Sequence, residues 1–430
     1  MKKKKLIEFT SFLTLLFGIL MTFVFSCLLV YGKTNLKVYE FYLTGVGSVS
    51  LILYIISKIK NLKFSIYEVI IFILMIFSCL SLINAIDINT AIFGKMNRYE
   101  GLLANLSYYA LFLSATNIKS KKYLNIIIGS IILIGILNCF YGLNQVGILN
   151  LIEAKNPWTY ARGLLGNSMF FGSMMCICYS LVLGIFYKLE KNKKNIIQNI
   201  IMFLLVVIFS FGVIMSGSMA VYLSSICMNL LMIYDFIRNI FKNKKFEIKK
   251  FVSIIICIII FIMSIFLFTK QNDLIGKDLE EIKNQSQQAI NGNIDDKFGT
   301  GRIYIWKKTI EKIKEAPITG FGIDNFRIAF TPLLLDPTTG RIVDKAHNDY
   351  LQRMLCEGVL SGITYIIFLI FIFFKTIRKT KLSSYYGLFL AFTCYSIQIF
   401  FSISVTRVAP IYFIIVGLLI GSIKDEKRKN

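Results

Sequence analysis

The side chain best suited to proton transfer in this chain is His347, the only histidine. It lies in the polar segment D-K-A-H-N-D-Y at 344–350. An imidazole has a reference pKa of about 6.5, so at neutral pH it can accept a proton from a hydroxyl group. Lys345 and Asn348 place a charge and an amide beside the ring. A lone histidine is often incidental, so the segment supports two interpretations, a general base or a structural residue.

The second candidate for chemistry is Arg302, at the start of a predicted amphipathic helix. Apolar residues at spacings of three and four predict this helix over 301–315, with Thr300 as its N-cap and Pro317 at its end. Charged side chains occupy the rest of its surface. The predicted apolar face consists of Ile303, Trp306, Ile310 and Ile313.

A cation in the first turn of a helix opposes the helix dipole, which by itself costs about 0.3–1 kcal/mol. The arrangement becomes favourable if a phosphate group docks there, because free backbone N–H groups and the guanidinium of Arg302 converge on it. The alternative is that Arg302 extends to lipid headgroups at the membrane surface. Both interpretations place Arg302 at a membrane boundary.

The rest of the chain predicts a membrane-embedded helical bundle. It has 430 residues, of which 56% are hydrophobic and 17% are charged. Runs of about 20 apolar residues recur, each long enough to cross a hydrocarbon layer of about 30 Å as a helix. The fold class is therefore all-α and polytopic. Twelve spans are predicted, at 9–31, 39–57, 66–86, 101–117, 124–143, 168–187, 197–214, 217–237, 251–268, 355–374, 384–404 and 408–423.

The basic residues predict how these spans are oriented. With the N-terminus in the cytoplasm, the cytoplasmic segments hold 28 of the 48 Lys and Arg residues and the short external loops hold 7. This bias is typical of a protein of the cytoplasmic membrane with both termini inside. It also argues against nucleic-acid binding as the reason for the net charge of +24.

The predicted topology divides the chain into three parts. Residues 1–268 form nine spans with external loops at 87–100 and 144–167, residues 269–354 form an extracytoplasmic catalytic loop, and residues 355–430 form three spans and a basic tail. The apolar run near the N-terminus is too long for a cleaved signal peptide, so it is predicted to be the first span. The nine cysteines show no metal-ligand spacing, and neither a disulfide nor a metal site is predicted.

Short motifs surround the two candidates, and other short motifs lie upstream of them. They are G-R-x-x-x-W at 301–306, E-x-P-x-x-G-x-G at 315–322, A-H-N-x-Y-L-Q at 346–352 with E-G at 357–358, R-Y-E-G at 98–101, Y-G-x-x-Q at 141–145 and R-G-x-x-G-N at 162–167. Their order, spacing and shared external side resemble the O-antigen ligase family, which is related to the oligosaccharide polymerases. The resemblance extends from about residue 98 to residue 362.

This resemblance implies a GT-C-like membrane glycosyltransferase that inverts configuration and needs neither a metal nor another cofactor. The donor would be a glycan on polyprenyl pyrophosphate, transferred at the outer face to a glycan, lipid or protein acceptor among membrane lipids. His347 would be the general base, and Arg302 would stabilise the pyrophosphate. The implied substrate-binding residues are Arg162, Arg98, Lys345, Asn348, Trp306, Gln145 and Glu357.

One position departs from the family pattern. Many members carry an arginine at the start of the eighth span, where this chain has Met219. Either Arg98 or Arg162 supplies the missing charge, or the donor is held differently. The motifs do not separate a ligase from a polymerase. A transporter or lipid-linked oligosaccharide flippase is the alternative function, although no internal repeat is visible. A non-catalytic scaffold would leave the histidine and arginine motifs without a reason.

Overall fold

The structure is a computed structural model that describes residues 2–59, 62–96, 98–149, 159–189, 195–271, 280, 283–284, 287–288, 296, 299–377 and 383–429. It is 75% helical, and these residues form no β-strand. A single antiparallel bridge joins Leu335 and Ile342. The all-α prediction is confirmed. Most of 272–298, at the start of the predicted catalytic loop, lies outside the described residues.

Sixteen α-helices are described. They are α1 (Lys2–Val30), α2 (Leu36–Lys58), α3 (Ile66–Leu80), α4 (Ile88–Phe93), α5 (Leu102–Ala115), α6 (Lys121–Gln145), α7 (Ser168–Lys188), α8 (Ile196–Met215), α9 (Met219–Asn243), α10 (Ile248–Gln271), α11 (Arg302–Ile313), α12 (Phe326–Ala329), α13 (Asp349–Glu357), α14 (Val359–Thr376), α15 (Ser383–Gln398) and α16 (Ala409–Lys429). A short 3₁₀ turn, Gly163–Leu165, precedes α7.

Each predicted span overlaps one of these helices. Among the described helices, eight are long and apolar enough to cross a membrane: α1, α2, α6, α7, α8, α9, α10 and α14. Helices α3, α5 and the apolar part of α16 are shorter, and α15 ends at Gln398 instead of residue 404. The chain is thus a multi-pass membrane protein, while the count of twelve spans stays a prediction.

The span predicted at 355–374 is interrupted near its start. Glu357 ends α13, and Val359 begins α14. Gly358 between them has φ +92, and a β carbon there would lie only 2.0 Å from the Ile318 carbonyl oxygen. Only glycine fits this conformation and this close approach. The break separates α13 from α14, so a short helix of its own follows His347.

Small residues allow the central helices to pack closely. Helix α7 is the most buried candidate span, and its most extensive contact is with α15. At their crossing, a β carbon on Gly184 would lie 2.7 Å from the Cα of Gly387. Two glycines facing each other let the helix backbones approach, which is a common way to pack helices in a membrane.

Segments predicted to lie on one side of the membrane meet at one end of the bundle, here called the site end. The backbone N–H of Ile86 donates to the Phe321 carbonyl at 3.2 Å. The N–H of Asp349 donates to the Ile399 carbonyl at 2.9 Å. The loops at 81–101, 314–348 and 399–408 are therefore neighbours. The contacts support the predicted alternation of loops, but which end faces the cytoplasm stays a prediction.

Helices α11 and α13 share a small apolar core at the site end, which holds Ile305, Ile313, Phe326, Leu334 and Leu355. The predicted apolar face of α11 was wrong in part. Ile310 is 48% exposed, whereas Ile305 is 1% exposed. The buried face follows the i, i+4, i+8 row of Ile305, Thr309 and Ile313, because α13 packs on that side.

The predicted N-cap of α11 was also wrong. Gly301 occupies that position with φ +77, and the helix begins at Arg302. The hydroxyl of Thr300 donates to the Gly299 carbonyl instead of accepting from the helix. Two successive residues in the left-handed region, Thr300 and Gly301, turn the chain sharply into α11. Arg302 is thereby the first helical residue.

Candidate active site

His347 lies immediately before α13, in an unusual backbone conformation. Its φ is +50, in the left-handed region that non-glycine residues adopt at a cost of about 1–3 kcal/mol. The preceding residue, Ala346, is held on both sides. Its N–H donates to Gln352 Oε1 at 2.9 Å, and its carbonyl accepts from Trp306 Nε1 at 3.1 Å. These two hydrogen bonds hold the backbone before His347, and so limit the directions in which its side chain can project.

Asn348 holds the other side of His347. Its Oδ1 accepts from the N–H groups of Tyr350 and Leu351, both at 3.0 Å, and caps α13. Asn348 is only 2% exposed. The structure accordingly gives this residue a capping role that positions His347, and its predicted contact with substrate stays a prediction.

The electrostatic surroundings favour a neutral imidazole. Burial and the nearby guanidinium of Arg302 lower the pKa of His347 below its usual value, against the opposing effect of Asp344. The hydrogen bond from Trp306 to the Ala346 carbonyl joins the first turns of α11, which carry Arg302, to the segment of His347. A neutral imidazole is the form that accepts a proton from a hydroxyl group.

Arg302 is half-buried, and burial lowers its pKa. Within the described ranges, no carboxylate lies within salt-bridge distance of it. One helical turn further, Trp306 packs its ring 5.5 Å from that of Phe400 and 6.3 Å from that of Phe401. The face of α11 that carries Arg302 and Trp306 thus runs from the histidine to the aromatic residues after α15.

Because the chain has one histidine, the pairing of His347 with Arg302 can be tested by nuclear magnetic resonance. In R302Q the pKa of His347 should rise, because a cation that lowers it is removed. In D344N it should fall further, because the carboxylate that raises it is lost. A titration of the ¹⁵N-labelled imidazole measures both, with K314Q as the unshifted control. Equal values in all variants would mean that these groups do not lie beside His347.

Lys345 lies in a buried ion-pair network. Its Nζ is 2.6 Å from Glu100 Oε2 and 3.3 Å from Asp324 Oδ1, and Lys345 is 4% exposed. Burial opposes the charge of Lys345, but the two carboxylates outweigh it and raise its pKa. The network ties the His347 segment to the loop before α5. These ion pairs account for Lys345 as a residue that supports the site. Its predicted contact with substrate stays a prediction.

Arg98 supports the same segment from the same loop. Its Nη2 pairs with Asp344 Oδ2 at 2.5 Å. Burial alone would raise the pKa of Asp344, but Arg98 and Lys95 lower it. Asp344 therefore largely compensates the charge of Arg98. This ion pair lies close to His347 in the chain, because Asp344 is three residues before it.

Glu357 belongs to a second buried network. It accepts from Arg353 Nη1 and from the Ser78 hydroxyl, each at 2.7 Å. Arg353 Nη1 also donates to the Tyr109 hydroxyl at 2.7 Å. A polar cavity of about 40 Å³, room for about two or three waters, lies between this network and Lys345. Glu357 thus joins α13 to α3, and its predicted contact with substrate stays untested.

An apolar groove of about 500 Å³ runs between α14 and α15 beside the site. Tyr350 and Phe400 line the part of the groove nearest the site end, and Phe400 also packs on Trp306. The other lining residues include Leu369, Phe373 and Ile397. The groove thus leads from the membrane-embedded helices toward the face of α11 that carries Arg302.

Comparison with known proteins identifies this region. Residues 204–366 match the O-antigen ligase family. This matched region resembles an O-antigen ligase domain and covers less than half of the chain. The match confirms the resemblance seen in the sequence motifs and supports an O-antigen ligase-like membrane enzyme. No curated protein matches the chain.

The matched residues include Arg302, Trp306 and His347 but neither Arg98 nor the turn at Arg162. That turn is held by Gln145, whose Oε1 accepts from the N–H groups of Arg162 and Gly163 at 2.9 and 2.7 Å. Gln145 therefore positions the turn, and the roles predicted for both residues stay predictions.

The sequence analysis did not predict the residues outside the motifs that support or adjoin the site. Asp324 pairs with Lys345 from a position 21 residues earlier, and Phe400 and Phe401 contact Trp306 from beyond α15. Arg407 is one of the 7 basic residues counted in the short external loops, and none of the sequence motifs contains it.

Proposed function

We propose that the protein is a glycosyltransferase of the cytoplasmic membrane that ligates or polymerises glycans from a polyprenyl-pyrophosphate donor at the outer face. One observation carries the proposal. The half-buried imidazole of His347 and the half-buried guanidinium of Arg302, which has no carboxylate partner among the described residues, lie on two segments that the Trp306–Ala346 hydrogen bond joins. This pair supplies a base for an acceptor and a cation for an anionic leaving group.

In the proposed reaction, neutral His347 takes the proton of an acceptor hydroxyl. The hydroxyl oxygen attacks the anomeric carbon of the donor sugar as the bond from that carbon to the pyrophosphate oxygen breaks. Attack from the side opposite the leaving group inverts the anomeric configuration. The products are a new glycosidic bond, polyprenyl pyrophosphate and a protonated His347, which returns its proton to water.

Arg302 would act on the leaving group. Pyrophosphate is a stable anion at neutral pH, so its departure needs compensation of charge more than a proton. The guanidinium of Arg302 and the N-terminal end of α11 both favour an anion at this position. Because protein groups supply that compensation, the mechanism requires no metal ion.

The groove between α14 and α15 supports a lipid-borne donor. Its lining is apolar, and it ends near Trp306, one turn of α11 from Arg302. A polyprenyl chain in this groove would bring its diphosphate to the level of Arg302 while the sugar reaches His347. The same arrangement serves a ligase and a polymerase, since the two differ in their acceptor.

Reconstitution of the full chain in lipid nanodiscs tests the proposal. Given a bacterial lipid-linked oligosaccharide and an acceptor glycan, the protein should release undecaprenyl pyrophosphate in step with new glycosidic bonds. The control is the same lipid without protein. Movement of the intact lipid-linked glycan across proteoliposomes, without release of pyrophosphate lipid, would favour the flippase alternative and refute the proposal.

A further inference from the structure

A second arginine at the site end, Arg407, has no carboxylate partner among the described residues. Arg407 lies in the break between α15 and α16, is half-buried, and has its pKa lowered by burial. Its Cζ lies 5.8 Å from the centre of the Phe170 ring. In the described part of the chain, its guanidinium has no carboxylate within 4 Å and donates no hydrogen bond.

Two other arginines at the site end have carboxylate partners. Arg98 pairs with Asp344, and Arg353 pairs with Glu357. A guanidinium remains charged in a protein, and a partly desolvated charge is unfavourable unless an anion or water compensates it. Contact with the face of Phe170 leaves the N–H groups at the guanidinium edge available to such an anion.

The surroundings of Arg407 leave space beside it and hold its backbone. Gly166 has φ +71, and a β carbon there would lie 4.0 Å from both Nη1 and Nη2. The Thr406 hydroxyl donates to the Arg98 carbonyl at 3.3 Å, and the Tyr39 hydroxyl donates to the Thr406 carbonyl at 2.9 Å. The guanidinium is therefore presented at a defined place, opposite a residue without a side chain.

Arg407 shares a cleft with Arg98 and Glu100, rimmed by Leu36 and Val405. The cleft encloses about 20 Å³, room for about one water, so a larger anion must bind at its edge. The carboxylate of Glu100 would repel an anion, but Lys345 lies 2.6 Å from it and compensates its charge. A cation with no carboxylate partner in the described part of the chain, beside apolar lining residues, suits an oxyanion that carries an apolar chain.

We propose that Arg407 binds a phosphate group of a membrane lipid, as a second oxyanion site separate from Arg302. The phosphate could come from two sources. One is the diphosphate of the polyprenyl donor, and for this source the inference rests on the proposed function. The other source is a phospholipid headgroup of the bilayer. The planar guanidinium fork binds two phosphate oxygens in either case.

The test measures lipid binding to the purified full chain by native mass spectrometry, with undecaprenyl pyrophosphate and phosphatidylglycerol as separate probes. R407Q should weaken the binding of one probe by about tenfold or more, because charge-assisted hydrogen bonds are lost. R407K should lose less, because lysine keeps the charge but not the fork. R341Q, at an exposed position of the same end, should bind as wild type.

Each outcome decides the proposal. Weaker binding of undecaprenyl pyrophosphate identifies the donor as the source, and weaker binding of phosphatidylglycerol alone identifies the bilayer. Unchanged affinity for both probes in R407Q overturns the site. If R302Q loses the pyrophosphate lipid while R407Q keeps both probes, the proposed function stands and this inference fails. If R407Q does not fold, a loss in R407K supports the site and wild-type binding by R407K overturns it.

Discussion

The variant H347N should lose glycosyl transfer by a factor of about 10²–10⁴, the usual contribution of a general base. Asparagine adopts the left-handed region more readily than most residues, so it tolerates the φ of +50 at this position. It cannot accept the proton of an acceptor hydroxyl at neutral pH. The rate of undecaprenyl pyrophosphate release from a saturating donor measures the loss.

Two controls separate this loss from damage to the fold. H347G keeps the same backbone conformation without a side chain and should be as inactive as H347N, with a thermal midpoint near that of wild type. K314Q changes an exposed charge beyond the end of α11 and should remain active. Donor affinity should be similar in all of them. Transfer by H347N at the wild-type rate would exclude His347 as the base.

The variant K345M should lower the stability of the protein by about 3–5 kcal/mol, because one partner of a buried ion pair is removed. The change leaves Glu100 and Asp324 buried, at 7% and 6% exposure, without the ammonium that joins them. Methionine keeps the approximate length of the side chain, so the loss is mainly electrostatic. The thermal midpoint in detergent, followed by intrinsic fluorescence, measures it.

A matched pair of variants tests that cause. K345M/E100Q should recover part of the loss, since one of the two orphaned charges is gone. K308Q breaks an ion pair of similar length, Lys308 with Glu311 at 2.8 Å, but on the exposed face of α11, and should leave the midpoint unchanged. A K345M midpoint equal to that of wild type would mean that the buried network does not hold the site together.

The helices were predictable because long apolar runs determine them locally. The sequence predicted where α11 lies, and it identified His347 and Arg302 as candidates, because their residue types and their short motifs are local features. The start of α11 was not predicted correctly. A threonine near the start of a predicted helix is a common N-cap, but the φ values of Thr300 and Gly301 depend on how the preceding loop enters the helix.

The partners of the site residues could not be predicted from spacing. Lys345 pairs with Glu100 across 245 residues, and Ser78 donates to Glu357 across 279. Nothing local to Lys345 or Glu357 distinguishes a residue that binds substrate from one that holds two loops together. The difference depends on which loops meet at the end of the bundle, and only the three-dimensional packing establishes that.

The contact between Gly184 and Gly387 has a consequence for how a lipid enters. Through this contact α15 packs extensively against the central helix α7, whereas α14 has little contact with α15. One wall of the apolar groove is therefore anchored to the middle of the protein, and the other is comparatively free. If a long isoprenoid from the bilayer widens the groove, α14 should therefore be displaced more than α15.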